Sequence, residues 1–287
     1  MKLLKNKIKI SCIILTFNEE KHIRRCISNL KNIFTEVIVV DSYSSDRTEK
    51  ICKKYKNVKF FKNKFINQSH QLNWAFKKIN FSSDWIFRID ADEIITKELS
   101  DFLLNNFDEL SKKYKAFLFN RKVNFLGKII NFGSTSPHKT LRLWKKKFGK
   151  IPIVHMDEQV YVKGKIKYLN YDLIDHNLNS FSWWIKKHLN YAQREKKNYF
   201  SLVEKENNLN YDDLSKISKK NKIFIYYKFP IFLRPVLLYF YCNIIKFGIL
   251  SGWQGFIYHF FQIFLYRFYV DYLIFVDKFL FKNKKSA

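Results

Sequence analysis

A chain of 287 residues with 47% hydrophobic content is long enough to bury a full core and too apolar to be disordered as a whole. Its formal net charge of +28 predicts attraction to polyanions: nucleic acid, anionic lipid headgroups or phosphorylated substrates. Four scattered cysteines, Cys12, Cys26, Cys52 and Cys242, with no C-x-x-C pair, argue against a disulfide framework or a zinc site and fit reduced thiols. The basic stretch Lys2–Lys9 precedes only a short apolar run without a small-residue cleavage site, so no secretory leader is expected.

Residues 8–15 read as a buried strand, broken by Thr16-Phe17-Asn18-Glu19-Glu20. A helix to about Lys31 follows, with Ile23, Ile27 and Leu30 on one face and Asn18 as its expected N-cap. Glu36–Val40 is a second buried strand ending in Asp41. Asp46-Arg47-Thr48-Glu49 resembles a capping box opening a second helix. Val58–Phe61, Ser69–Ile79 and Asp84–Ile89 read as strand, helix and strand. This alternation predicts a parallel sheet with right-handed crossovers. There is no G-x-G-x-x-G and no P-loop, so a nucleotide would depend on acids and a metal.

The chain is organised around Asp84–Glu93, where the apolar run Trp85–Ile89 ends in Asp90, Asp92 and Glu93. Ligands of open α/β sheets bind beyond the carboxyl ends of the strands. Acids at i and i+2 of an extended chain face one side. Two carboxylates so placed need a cation or a hydrogen-bond network between them, and with a phosphate ligand they suit Mg²⁺ or Mn²⁺.

Beyond Glu93 a helix is expected over Lys97–Phe107, then strands over 116–125, 128–132, 141–144, 153–162 and 166–174, a mixed continuation of the sheet. A helix over Ser182–Tyr199 closes a catalytic domain of residues 1–200. Residues 201–222 read as a polar linker, and 223–287 as a helical hairpin, membrane-associated or packed, with helices near 224–247 and 254–280. Aromatic and basic residues beside an apolar face suit a membrane interface.

Taken together, Ile14–Glu20, Val39-Val40-Asp41-Ser42 with Asp46-Arg47-Thr48, Asn73-Trp74-Ala75 and Asp90-Ala91-Asp92-Glu93 resemble family 2 glycosyltransferases of the GT-A fold. Thr140–Trp144, His155–Gln159, Asp175-His176 and Phe247–Phe256 resemble the subgroup that builds lipopolysaccharide core and related bacterial glycans. The resemblance implies an α/β GT-A fold, Rossmann-like and mostly parallel, with a C-terminal hydrophobic helical region. It implies that Phe17, Asn18 and Glu19 lie by the base and ribose of a nucleotide-sugar donor, that Asp41 bonds the base, and that Asn73 helps hold the donor. Asp90 would lie near the ribose and sugar, and Asp92 would bind a divalent metal. Gln68-Ser69-His70-Gln71 departs from the family, where a Gly and a basic residue are more common.

Inverting transfer needs a base for the acceptor hydroxyl, for which Asp157 and Glu158 are the candidates. Arg142 is expected to balance phosphate charge and His176 to be a third metal ligand or phosphate contact. Trp183, Trp184 and His188 are weighed as an acceptor groove. The expected enzyme moves a hexose from a UDP-sugar to a saccharide or lipid-linked acceptor, as a peripheral protein on the anionic cytoplasmic face of the bacterial inner membrane. Nucleic-acid binding is the first alternative, but the chain carries no recognised binding motif. A nucleotidyltransferase would want a glycine-rich basic loop where Thr16–Glu20 is acidic. A non-catalytic subunit is disfavoured by the acids present.

Overall fold

Strand β1 (Ile8–Thr16) lies at the heart of a nine-stranded sheet because its residues are buried on both faces, as a central parallel strand requires. The computed structural model describes residues 8–133, 136–152, 160–207 and 226–280. The base candidates Asp157 and Glu158, most of the expected strand 153–162 and residues 208–225 lie outside the described residues.

The elements follow as α1 (Ile23–Leu30), β2 (Phe34–Asp41), α2 (Thr48–Cys52), β3 (Val58–Lys62), α3 (Gln68–Lys78), β4 (Trp85–Arg88), β5 (Glu93–Ile95), α4 (Lys97–Asn105) and α5 (Phe107–Lys113). Then come β6 (Ala116–Phe125), β7 (Lys128–Ile130), β8 (His138–Lys145), β9 (Gly149–Lys150), β10 (Tyr161–Val162) and β11 (Ile166–Asp175). The sheet runs β3-β2-β1-β4-β8-β6-β11-β5, with β7 beside β6. The first four of these strands are parallel, and β8 and β5 run antiparallel to their neighbours, so the sheet is mixed in its second half as expected.

Period-two alternation divides the core between the two faces. Ile10, Cys12 and Ile14 join α1 and α4 residues such as Ile27 and Leu99, while Ile13 meets Leu72, Ala75, Ile86 and Trp144. On α1 the buried positions Ile23, Cys26, Ile27 and Leu30 form one stripe at helical spacing.

Two caps differ from expectation. The N-cap of α1 is His22, because Asn18 takes a left-handed conformation (φ 56°) four residues upstream. At α2 the Asp46 carboxylate accepts from the Thr48 amide at 2.9 Å, but Glu49 pairs with Lys53 and Lys62 and closes no box.

The chain divides into two compact units, one from the described residues of 1–129 and 136–178, the other from those of 130–135 and 179–287. The second unit is helical. Its α6 spans Phe181–Asn207 and so takes in the start of the expected linker, whose Leu202, Glu204, Lys205 and Glu206 are good helix formers. Further on come α7 (Leu233–Phe240), a π-turn to Ile245, a 3₁₀ turn at Gly248–Ser251, α8 (Gly252–His259), a second π segment and α9 (Tyr266–Leu280). The chain bends between Ile245 and Gly248, at the start of the expected meeting segment Gly248–Gly255.

Helix α9 packs on α6 through Val270 and Ile274 against Ala192 and Tyr199. Charges inside this unit are paired. Arg234 donates from Nε to both oxygens of Asp271 at 2.8 and 2.9 Å, and Glu195 accepts from Arg267, from the Tyr266 hydroxyl at 2.6 Å and from the Tyr227 hydroxyl at 3.1 Å. The Gly248 backbone lies against the His259 ring, where an added Cβ would sit 2.6 Å from ring carbon and 2.7 Å from the Cys242 carbonyl oxygen. Among the described residues no single helix is long and apolar enough to cross a membrane; the pair Leu233–Ile245 and Gly248–Phe279, bent by 70°, meets that test only together.

Candidate active site

Register brings the polar strand ends together. Thr16 pairs with Asp41 across β1 and β2, and Ile13 pairs with Arg88 across β1 and β4. The loops after these three parallel strands therefore leave one edge of the sheet.

The first two loops are laced to each other. Asn18 Oδ1 accepts from the Ser45 amide at 2.9 Å, and the Asn18 amide donates to Ser44 Oγ at 2.8 Å. The Glu19 amide donates to Thr48 Oγ1 at 2.8 Å and the Glu20 amide to Asp46 Oδ2 at 3.0 Å. Asn18 tolerates its positive φ because a short polar side chain can bond locally in that conformation. Phe17 and Tyr43 project from these loops, each 59% exposed.

Asp41 is placed differently from a residue that faces a ligand outright. It is fully buried, and its carboxylate accepts from Thr16 Oγ1 at 2.7 Å, the Ser44 amide at 2.7 Å and Ser44 Oγ at 2.6 Å. Asn73 lies on α3 and donates to the Ile151 carbonyl at 3.0 Å. The departure from the family pattern has a role here: Gln71 is buried and donates to Ser42 Oγ at 2.7 Å and to the Asn63 carbonyl at 3.0 Å, tying α3 to the β2 loop.

The acidic turn after β4 is held by arginines. Asp90 Oδ2 accepts from Arg142 at 2.8 Å and Oδ1 from Arg88 at 3.3 Å. Glu93 is fully buried; its carboxylate accepts from Arg121 Nε at 2.8 Å, from Arg142 and from the Asp90 amide at 3.1 Å. Burial resists ionisation of Asp90, but Arg142, Arg88 and Arg121 outweigh it and hold the carboxyl below the ordinary range. At Glu93 burial dominates and lifts the carboxyl above the ordinary range, against the pull of Arg142 and Arg121. Arg142, expected to balance phosphate charge, is buried and serves as counter-ion to two acids.

Asp92 turns the other way. One oxygen accepts from Asn177 Nδ2 at 3.0 Å, and among the described residues the other carries no hydrogen bond. Its carbonyl accepts from the His176 amide at 2.9 Å and from Arg25 at 3.3 Å. Arg25 also donates to the His176 carbonyl and stands 3.2 Å from its Nδ1. Burial first, then the charge of Arg25, holds the His176 pKa below the ordinary histidine value. The neighbouring guanidinium opposes a metal on Nδ1 and leaves Nε2 as the ring's remaining donor atom. His22 completes the stitching: the Leu178 amide donates to its Nε2 at 2.9 Å, which assigns the proton to Nδ1, 2.6 Å from Glu19 Oε2.

No group of three His, Cys, Asp or Glu forms a metal cage among the described residues. A hard cation shared with phosphates needs only one or two carboxylates. Asp92, with an oxygen uncommitted, fits that donor set; Asp90, claimed by two arginines, fits it less well. Sequence reasoning missed Arg25, Arg121 and Asn177, polar side chains on a helix, a strand and a loop whose only signal stands far from the acids in sequence.

The chain was compared with known proteins. It is 34% identical over 145 residues to an uncharacterized glycosyltransferase of Rickettsia typhi, covering 49% of this chain and 47% of that one. It is 31% identical over 101 residues to the lipopolysaccharide core biosynthesis glycosyltransferase LpsC of Rhizobium meliloti, covering 34% and 36%. The chain thus spans about half the length of the first of these relatives. The crystal structure of S. aureus TarS 1-349 aligns with a TM-score of 0.42 at 20% identity over 59% of this chain and 60% of that one. The sequence profile of glycosyl transferase family 2 matches residues 11–168, from the middle of β1 into β11, and the chain belongs to that family.

Proposed function

We propose that the protein is an inverting glycosyltransferase that moves a hexose from a nucleotide-diphosphate sugar, UDP-linked, to a saccharide or lipid-linked acceptor in bacterial surface-glycan assembly. One observation carries the reading. Asp92 is held by its backbone and by Asn177 in a lattice of arginine-braced acids, with one oxygen open, at the sheet edge where the loops bearing Phe17, Asn18 and Glu19 also end. The relative named for lipopolysaccharide core biosynthesis supports the acceptor class.

In this reading Phe17 stacks on the base, Asn18 and Glu19 lie along the ribose, and Asp41 takes a base N–H. Asn73 helps hold the donor from α3. Asp90 orients the sugar; it stays ionised because its arginines keep it so. Asp92, with His176 beside it, would hold a divalent ion, Mg²⁺ or Mn²⁺, which would supply charge neutralisation for a leaving diphosphate. Asp157 or Glu158 removes the proton from the acceptor hydroxyl, whose oxygen bonds to the anomeric carbon as the bond to the diphosphate breaks. The arginine lattice fixes the acids before the donor arrives, so little reorganisation is left for the reaction.

We place the enzyme at the anionic cytoplasmic face of the inner membrane, drawn there by its net charge of +28. The test is thermal denaturation with UDP, ADP and GDP, with and without Mn²⁺. UDP is expected to raise the Tm only with the metal. Equal response to every nucleotide, or none, overturns the donor assignment.

A further inference from the structure

Beside its small apolar core, the helical unit buries several polar side chains. Arg234, Asn243, Ser251, His259 and Asp271 are buried. Arg234 pairs with Asp271, His259 Nδ1 lies 3.1 Å from Asn243 Oδ1, and Ser251 Oγ accepts from the Phe132 amide at 3.2 Å. Over Leu233–Phe279 the exposed side chains are apolar or aromatic, Lys246 apart. On the arm Leu233–Ile245, Leu233, Leu237, Phe240 and Ile244 recur at i, i+4, i+7 and i+11, a single stripe, and all are exposed. The stripe runs into an elbow where Ile245, Phe247, Ile249, Leu250 and Trp253 are each 60–63% exposed. Exposed apolar surface this continuous marks an interaction site and is not tolerated idly in water.

We propose that this stripe and elbow are a single-leaflet anchor, lying in the plane of an anionic lipid bilayer. The proposal deepens the membrane-surface reading above and rests on it. Three observations choose lipid as the occupant. Polar groups inside and apolar groups outside is the arrangement hydrocarbon demands, since no solvent there satisfies a donor or acceptor. Between Arg234 and Arg267 the sequence carries one formally charged residue, Lys246. That lysine is exposed at the elbow over the Tyr241 ring, the company of a side chain that reaches back to headgroups. The 70° bend and the first arm's length also exclude a straight crossing: at 1.5 Å per residue, Leu233–Ile245 is about 20 Å long against about 30 Å of hydrocarbon. Helices that lie in the interface sink about 5–10 Å, enough to cover this stripe.

The bend is fixed from within. Gly133 and Gly248 both lie against the His259 ring, where a Cβ would come within 2.3 and 2.6 Å, and the Gly133 amide donates to the Lys246 carbonyl at 3.0 Å. The elbow therefore meets the bilayer as a preformed wedge.

The test uses the full chain with vesicles of phosphatidylethanolamine and phosphatidylglycerol. Nitroxides are placed by Leu237→Cys and Leu250→Cys, with exposed Lys31→Cys as a reference; the four native thiols are buried. On vesicles the probes at 237 and 250 are expected to gain oxygen access and lose access to a water-soluble nickel chelate, at similar shallow depth, while 31 does not change. The paired variant Leu237→Asp with Leu250→Asp should weaken vesicle partition on the order of a hundredfold at unchanged helix content, with the nucleotide-dependent Tm shift retained. Vesicle binding with both probes in water overturns the anchor and leaves the membrane-surface reading standing. No vesicle binding overturns both. A probe at 250 at the bilayer centre, with 237 reachable only from the far side, shows a crossing and overturns it. So does a dimer that the paired variant dissociates without any effect on vesicles.

Discussion

Glu93 and Asp175 are direct partners across the antiparallel pair β5–β11, and Arg121 bridges them, donating through Nε to Glu93 at 2.8 Å and through a terminal nitrogen to Asp175. Two like charges facing each other across a strand pair are destabilising unless a cation intervenes. Arg121→Ala removes that cation. The variant is expected to lose about 2–3 kcal/mol in urea denaturation, below the full cost of breaking a buried pair because Arg121 is partly exposed.

Asp92 differs from Asp90 and Glu93 in owing no charge to the protein interior. Asp92→Asn should leave the unfolding free energy within about 0.5 kcal/mol of the parent. The same variant should lose the metal-dependent response to UDP and all measurable transfer of radiolabelled sugar. Retention of both would remove Asp92 from the site.

Arg25 acts on the site through the backbone of Asp92 and His176. Arg25→Ala should lower stability by about 1–2 kcal/mol through lost charged hydrogen bonds. It should also lower kcat/KM roughly tenfold by loosening Asp92, with recovery in part on Arg25→Lys. A stability change with unaltered kinetics would leave Arg25 as a structural brace alone.

Acid should loosen the sheet unit through its lowered carboxyls. Burial resists ionisation of Glu36, but Lys59, Ser11 and Ser82 hold its folded pKa below the ordinary value. Asp46, through Thr48 and the Glu20 amide, and Asp90, through its arginines, shift the same way. Groups depressed on folding contribute stability that is complete above their unfolded values, about pH 4, and lost as pH falls through the folded ones. The Tm should therefore be flat near neutrality and fall below about pH 4; Glu36→Gln should flatten part of that fall.

The thiols should be silent. Burial pushes Cys52 up to about 12 and raises Cys12 and Cys26 well above the ordinary value. The folded protein should react with a disulfide reagent at pH 8 only on addition of denaturant.

The strand rhythm, the strand ends and the acidic turn were legible because period-two burial and abrupt polarity leave a local trace. Asn18 misled as a cap because its side chain crosses to the β2 loop, a tertiary choice that overrides local capping. The partners of Arg142 were hidden for a related reason. An arginine on a strand reads as available charge until the fold shows which carboxylates lie beside it. Arg121 and Arg25 were invisible, since their partners stand far off in sequence. The elbow glycines announced a break, but the exposed apolar stripe beside it needed burial to be seen.

The lacing of residues 18–20 to residues 44–48 has a kinetic corollary. With so many cross-bonds, neither loop can fray without carrying the other along, and the pair moves as one body. On the proposed function, a donor arriving there would meet a surface already ordered, so its association rate should depend on encounter and not on a slow search by two independent flaps.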